Sequence, residues 1–218
     1  MFFGDGSDAA KQAVEQIVPR SLDNFNWTFI FILAVVFYVY WSEAYHKNYK
    51  AIIAGFSLYG VHWFYEIMNA IIGKVSGYPL WSVSNESSSF VLLVGVSWEL
   101  SMMFTLAGII SFKMMGEDRN RKILKIGKFN GISIKLFTTI SMALLFSAVE
   151  IFLAATPAFI WVYKWWGAIP VFITTYIPFF LAANYIPDAK PKFQKIFLGS
   201  IWAVDALLLI ILIPLGII

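Results

Sequence analysis

The sequence contains no cysteine, which excludes disulfides, thiolate nucleophiles and cysteine-ligated metals. Histidine occurs only at His46 and His62, so the histidine-rich boxes of membrane di-iron enzymes are missing. Charge is also scarce. Charged residues make up 13% of the chain, against about 25% in a soluble domain. No arginine lies in an apolar run, and only Lys135 and Lys164 bring a positive charge into one. There is no Gly-rich phosphate loop, no Walker lysine and no Ser/His/Asp order that would support nucleotide use or acyl transfer. The last apolar run, 196–218, has no lysine for a retinal-type Schiff base. No metal and no cofactor are expected. The net charge of +3 gives no ground for a nucleic-acid partner, because the basic residues fall between the apolar runs.

What the chain has in abundance is apolar length. Hydrophobic residues make up 60% of its 218 positions, gathered in runs near the roughly twenty residues that cross a bilayer. The expected fold is all-α, a polytopic transmembrane helix bundle with six spans, at about 27–45, 51–73, 88–112, 131–154, 157–186 and 196–217. The fifth is too long for a straight crossing and contains Pro170 and Pro178, so it is expected to kink. Splitting it would give seven spans. Residues 1–26 are expected to form an N-terminal amphipathic segment on the membrane surface, with its helix over 8–18 before Pro19. They lack the basic start and cleavage site of a signal peptide. Residues 27–218 form one transmembrane domain.

Loop charge sets the orientation. Lys47 and Lys50 lie in the first loop, Lys113, Arg119, Arg121, Lys122, Lys125 and Lys128 in the third, and Lys190, Lys192 and Lys195 in the fifth. The opposite side receives only Lys11, Arg20 and Lys74. Basic loops stay cytoplasmic, which predicts an integral multi-pass protein with both termini on the non-cytoplasmic side. The third loop has room for a short basic surface helix. Trp27, Trp41, Tyr78, Trp81, Trp165 and Trp166 sit near span ends, as an aromatic belt requires.

Four acids lie at membrane depth within the apolar runs: Glu66, Glu99, Glu150 and Asp205. A carboxylate at membrane depth needs a partner, a proton or a cavity. These four outnumber the cations available, so some are expected to carry a proton. At about 1.5 Å rise per residue, Glu66, Glu99 and Asp205 can share a band from the midplane outward, with Glu150 at its rim. His62, Glu66 and Asn69 follow one another at i, i+4 and i+7 and share a helix face. His62 could tune or relay a proton for Glu66. Polar groups in membranes also serve as hydrogen-bonded glue between helices, the bland account of Asn69, Ser97 and Asn184. The sharper expectation is that the acids face one apolar hollow. Glu66, Glu99, Asp205, His62 and Glu150 are then the candidate catalytic residues, and Trp63, Tyr65, Asn69, Trp98, Met102 and Trp202 the candidate substrate contacts. Aromatic walls stabilise cations without attacking them, and a dry cavity protects a carbocation from water.

With Glu66 in the second run and Asp205 in the last, the chain resembles the small integral-membrane terpene cyclases of fungal meroterpenoid and indole-diterpene pathways. Ala148-Val-Glu150-Ile, Pro157-Ala and Trp166-Gly-Ala168 look like that family's fourth-to-fifth-span region. The family has seven spans against six counted here. Its early acid stands in Asn-x-x-Trp-Glu, whose nearest match is Val96-Ser-Trp-Glu99, so Glu66 and Glu99 compete for the role. His62, Glu66 and Glu99 are also similar to the His-x-x-x-Glu pair plus second acid of the emopamil-binding (EXPERA) sterol isomerase group. Both resemblances imply a cofactor-free isomerase or cyclase that protonates an isoprenoid or sterol-like lipid. The rival expectation is a proton- or cation-coupled transporter, or a lipid-binding sensor, using the same acids. A hydrophobic small molecule and membrane lipids are the expected partners; the sequence leaves a homo-oligomer or a larger membrane complex open.

Overall fold

The structure, a computed structural model, describes residues 2–125 and 130–218. Seven helices dominate the described residues: α1 Asp8–Glu15, α2 Phe29–Tyr45, α3 Tyr49–Ser76, α4 Trp98–Met114, α5 Ile134–Ala154, α6 Ala168–Asp188 and α7 Pro191–Leu212. Their ends follow capping chemistry. The Ser7 hydroxyl accepts from Ala10 N at 3.1 Å to open α1, and Ser133 accepts from Leu136 N at 3.2 Å to open α5. Helix α3 stops at Gly77, whose φ of 92° is the left-handed conformation that favours glycine at a helix C-terminus. Helices α5, α6 and α7 are each long and apolar enough to cross a membrane, and α2 is a shorter apolar helix.

Helix α3 is the hub, packed against α2, α4, α6 and α7, while α5 lies against α6 and α4. The α3–α4 seam is close because both sides are glycine there. A Cβ on Gly108 would stand 2.7 Å from Ala54 O and 2.9 Å from Gly55 Cα, the small-residue approach that membrane helices use. Helix α7 packs on α3 through half-buried side chains such as Ile201, Trp202 and Leu208, and Asp205 is its single fully buried residue.

Three two-stranded ribbons join this bundle, a departure from the all-α expectation. Strand β1 (Trp81–Val83) pairs antiparallel with β6 (Phe159–Trp161), β2 (Val91–Leu93) with β3 (Val96–Ser97), and β4 (Lys122–Ile123) with β5 (Ile132–Ser133). The β1–β6 ribbon ties the chain leaving α3 to the chain leaving α5, so those helices end at the same end of the bundle. The N-terminal strand of chain is laid across that end: Phe3 bridges Gly167 and Gly4 N donates to Trp166 O at 2.8 Å.

Two expected spans are shorter than their apolar runs. Helix starts at Trp98 rather than near 88, because residues 91–97 turn back in a hairpin. The fifth helix starts at Ala168 rather than 157, because Phe159–Trp161 is a strand; a short apolar run reads alike for a strand and a buried helix. Lys164 therefore sits exposed in a connection. The third basic loop forms the β4–β5 ribbon rather than a surface helix within its described part, and Lys128 lies outside the described residues.

Helix α6 is continuous from Ala168 to Asp188, but Phe172–Tyr176 is a π-helical turn between Pro170 and Pro178. Pro178 has no N–H to give the carbonyl four residues before it, and that carbonyl, Thr174 O, accepts from the Tyr65 hydroxyl at 2.7 Å.

Candidate functional site

Two of the four acids converge. Glu66 on α3 and Glu150 on α5 are both buried and both line one chamber of about 40 Å³, under the β1–β6 ribbon. The ribbon sets their partners. Trp81 and Trp161 stand directly opposite in its register. The Trp81 indole N–H reaches both Glu66 oxygens at 3.2 Å, and the Trp161 indole N–H donates to Glu150 Oε1 at 2.7 Å. The Tyr176 hydroxyl, from the π turn of α6, donates to Glu150 Oε2 at 2.6 Å. Each carboxyl thus has neutral hydrogen-bond donors, and neither pairs with a lysine or arginine among the described residues. Trp81 and Trp166 stack across the chamber wall, ring centres 5.5 Å apart, and Phe104, Phe159 and Phe179 complete its apolar side. Two polar atoms on the lining, Trp166 Nε1 and Thr175 Oγ1, are buried with no hydrogen-bond partner among the described residues.

His62 stands beside this chamber. It is almost fully buried, stacked on Phe104 at 4.2 Å between ring centres, with Nε2 3.5 Å from Glu66 Oε1. Neither ring nitrogen has a hydrogen-bond partner among the described residues. Gly95, at the β2–β3 turn, closes the opposite side of Glu66. A Cβ there would collide with Glu66 Oε2, Trp81 Nε1 and Asn69 Nδ2, so only glycine leaves room for this arrangement.

The other acids do not join them. Glu99 was expected at depth, but the hairpin that delays α4 puts it in the helix's first turn, where Oε1 accepts from Ser89 N and holds the preceding loop. Asp205 lies on the α7 side of α3, apart from the chamber lining, with both oxygens buried and unpartnered among the described residues. The shared hollow of four acids is therefore a pair, and Glu150, expected at the rim, is half of it.

The expected substrate contacts also disperse. Asn69 holds the β1 backbone: its Oδ1 accepts from Leu80 N at 2.8 Å and its Nδ2 donates to Trp81 O at 2.9 Å. Tyr65 caps the α6 carbonyl described above. Trp98 stacks on Phe29, Trp202 packs edge-on to Tyr59 and Phe56, Trp63 packs with the Ile67–Leu93–Val96 cluster, and Met102 is buried on α4. None of these six side chains is among the chamber's lining residues. Ser97 caps α4, and Asn184 bridges Ser111 and Thr139 at 3.0 Å each, pinning α6 to α4 and α5.

Sequence reasoning placed Trp81 and Trp166 in an interfacial belt; both are buried in the chamber wall. Trp27, Trp41 and Trp165 are exposed instead, as belt residues would be. The signal for Trp81 and Trp161 is spacing: each indole follows its acid after the helix end, 15 residues on for Glu66 and 11 for Glu150. A fifth acid, Glu43 on α2, was overlooked; it is buried but accepts from Asn48 Nδ2 at 2.7 Å and pairs with Lys113.

Residues 7–214 match an uncharacterized membrane protein family. The chain belongs to that family. An uncharacterized protein of Archaeoglobus fulgidus is 35% identical over 209 residues, covering 94% of this chain and 95% of its own length. No solved structure matches the chain. Family membership and the apolar helices establish a membrane protein; the matches carry no link to terpene cyclases or to the emopamil-binding group. The matched range takes in the whole chamber, from Glu66 to Phe179.

Proposed function

We propose that this membrane protein moves a small polar solute coupled to protons, with Glu66 and Glu150 as the proton-binding pair. The observation that carries the proposal is the chamber: two buried carboxyls on different helices face a space of about 40 Å³, with no lysine or arginine on its lining and His62 beside Glu66. A space of that size holds a few waters, whereas lipid- and drug-sized ligands occupy about 300–1,000 Å³. The two carboxyls reach this space from different helices, so a guest that enters it meets two groups able to give or take a proton. Trp166 Nε1 and Thr175 Oγ1 offer that guest unengaged polar atoms.

In this reading the six long helices are six spans, the break in the fifth is the π turn of α6, and the ribbon end with both termini faces away from the cytoplasm. π turns are frequent at functional sites, and this one brings Thr175 and Tyr176 to the chamber. Proteoliposomes loaded with a pH-sensitive dye and challenged with gradients of small polar solutes test the proposal. The expected result is solute-dependent proton movement, with the solute recovered unchanged, lost in Glu66→Gln and in Glu150→Gln. Movement that persists in both variants overturns it.

The second reading is acid-catalysed isomerisation or cyclisation of an isoprenoid or sterol-like lipid. The aromatic walls favour it: Trp81, Trp166, Phe104, Phe159 and Phe179 surround the acids as a carbocation would require. It needs the chamber to widen severalfold when substrate enters. Conversion of a polyprenyl substrate by purified protein, reduced about 100-fold or more in Glu66→Gln or Glu150→Gln, would favour this chemistry over transport.

A further inference from the structure

At the end of the bundle opposite the ribbon, three basic side chains from separate parts of the chain meet one carboxylate. Lys50, in the first turn of α3, reaches Asp188 Oδ1 at 2.7 Å, and Lys135, in the first turn of α5, reaches Asp188 Oδ2 at 2.7 Å. Arg119, from the α4–α5 connection, stands 3.6 Å from Asp188 Oδ1 with its guanidinium 4.1 Å above the Phe112 ring. One negative charge faces three positive ones, and among the described residues the acids next to Arg119 in sequence, Glu117 and Asp118, form no ion pair with any of the three. The Arg119 Nε–H is buried without a hydrogen-bond partner among the described residues. Helices α3 and α5 begin at this point and α7 begins three residues after Asp188, where α6 ends, so helix starts and a helix end meet here and the side chains set the sign of the charge. Lys50 is half exposed, so the cluster opens to the aqueous boundary.

We propose that this cluster binds a phosphate group, carried by an anionic lipid headgroup or free in solution. An excess of two positive charges, rigidly held at a membrane boundary, is the electrostatic condition under which basic pockets between helices take phosphate headgroups. A planar guanidinium already fixed on an aromatic face is suited to phosphate oxygens. The exposed apolar side chains Phe193 and Ile196 at the start of α7 give acyl chains a surface nearby. The site is independent of the Glu66–Glu150 chamber.

The test uses the full chain in phosphatidylcholine nanodiscs, followed by native mass spectrometry and thermal denaturation. In one arm phosphatidylglycerol is titrated in; in the other, inorganic phosphate is added against chloride at equal ionic strength. Retention of phosphatidylglycerol over phosphatidylcholine, weakened about tenfold by Lys50→Gln and by Arg119→Gln, the worth of one charge-assisted hydrogen bond, supports a lipid headgroup. Stabilisation by inorganic phosphate, lost in the same variants, supports the free anion. Lys135→Arg keeps the charge and is expected to keep binding, which separates recognition from folding. Equal retention of both lipids with no effect of phosphate, or binding undiminished in Lys50→Gln and Arg119→Gln, overturns the proposal.

Discussion

Trp81 and Trp161 perform the same task twice, each bringing an indole N–H onto a carboxyl that pairs with no lysine or arginine among the described residues. Replacing Trp81 with Phe keeps most of the apolar area but leaves Glu66 without that donor. Leaving a buried polar group unsatisfied costs about 1–3 kcal/mol, so Trp81→Phe and Trp161→Phe are each expected to lower the midpoint of thermal denaturation in detergent. Unchanged midpoints in both would mean that the carboxyls find other partners. Gly95 makes a sharper case, because its missing Cβ is the space that Glu66, Trp81 and Asn69 share. Gly95→Ala is expected to destabilise by about 1–3 kcal/mol through overpacking. It should also disturb the chamber more than Gly77→Ala, where a Cβ meets nothing within 4 Å and only the left-handed φ is strained.

Among the elements, α6 departs most from regularity, and its irregularity has an identifiable chemical cause. Pro178 deprives Thr174 O of its helical donor, and Tyr65 on α3 supplies a hydroxyl in its place. This coupling predicts non-additivity. Tyr65→Phe should cost about 0.5–1.5 kcal/mol in the native background, and clearly less after Pro178→Ala restores a backbone N–H. A double-mutant cycle of denaturation midpoints measures the difference; purely additive effects would show that the hydroxyl does not replace the lost donor. The α3–α4 seam is the second element-level test. Gly108→Val puts side-chain atoms where Ala54 O and Gly55 Cα already lie. It is expected to part the helices and lower thermal stability, whereas Gly199→Val on α7, where a Cβ meets nothing within 4 Å, is expected to be mild.

As a whole, the molecule is divided end from end. One end carries the β1–β6 and β2–β3 ribbons, the N-terminal segment and the buried acid pair; the other carries the β4–β5 ribbon, the three-cation cluster around Asp188 and the Lys113–Glu43 pair. Orientation can be measured directly, because a chain without cysteine accepts single reporter cysteines without background. With a membrane-impermeant maleimide on intact cells, Ser87→Cys is expected to label from outside and Lys192→Cys only after permeabilisation. The reverse pattern would invert the orientation and place the acid pair near the cytoplasmic face.

Composition alone was enough for a helical membrane protein, since so little charge and so much apolar length leave few other ways to satisfy the backbone. The long helices near 29–45, 49–76, 134–154 and 191–212 were legible for the same reason. So were the acids as unusual residues and the basic loops as one group, because charge at membrane depth is visible wherever it occurs. The pairing of Glu66 with Glu150 was not legible. It depends on two short apolar strands, Trp81–Val83 and Phe159–Trp161, finding each other across a separation of about 80 residues, and a three-residue apolar run carries no periodicity that tells strand from helix. Where that ribbon forms, it shortens the fifth helix and turns two indoles inward. The hairpin beside it lifts Glu99 to a helix mouth. Contacts between distant segments therefore settled which acids meet, because a carboxyl's surroundings depend on its neighbours in space.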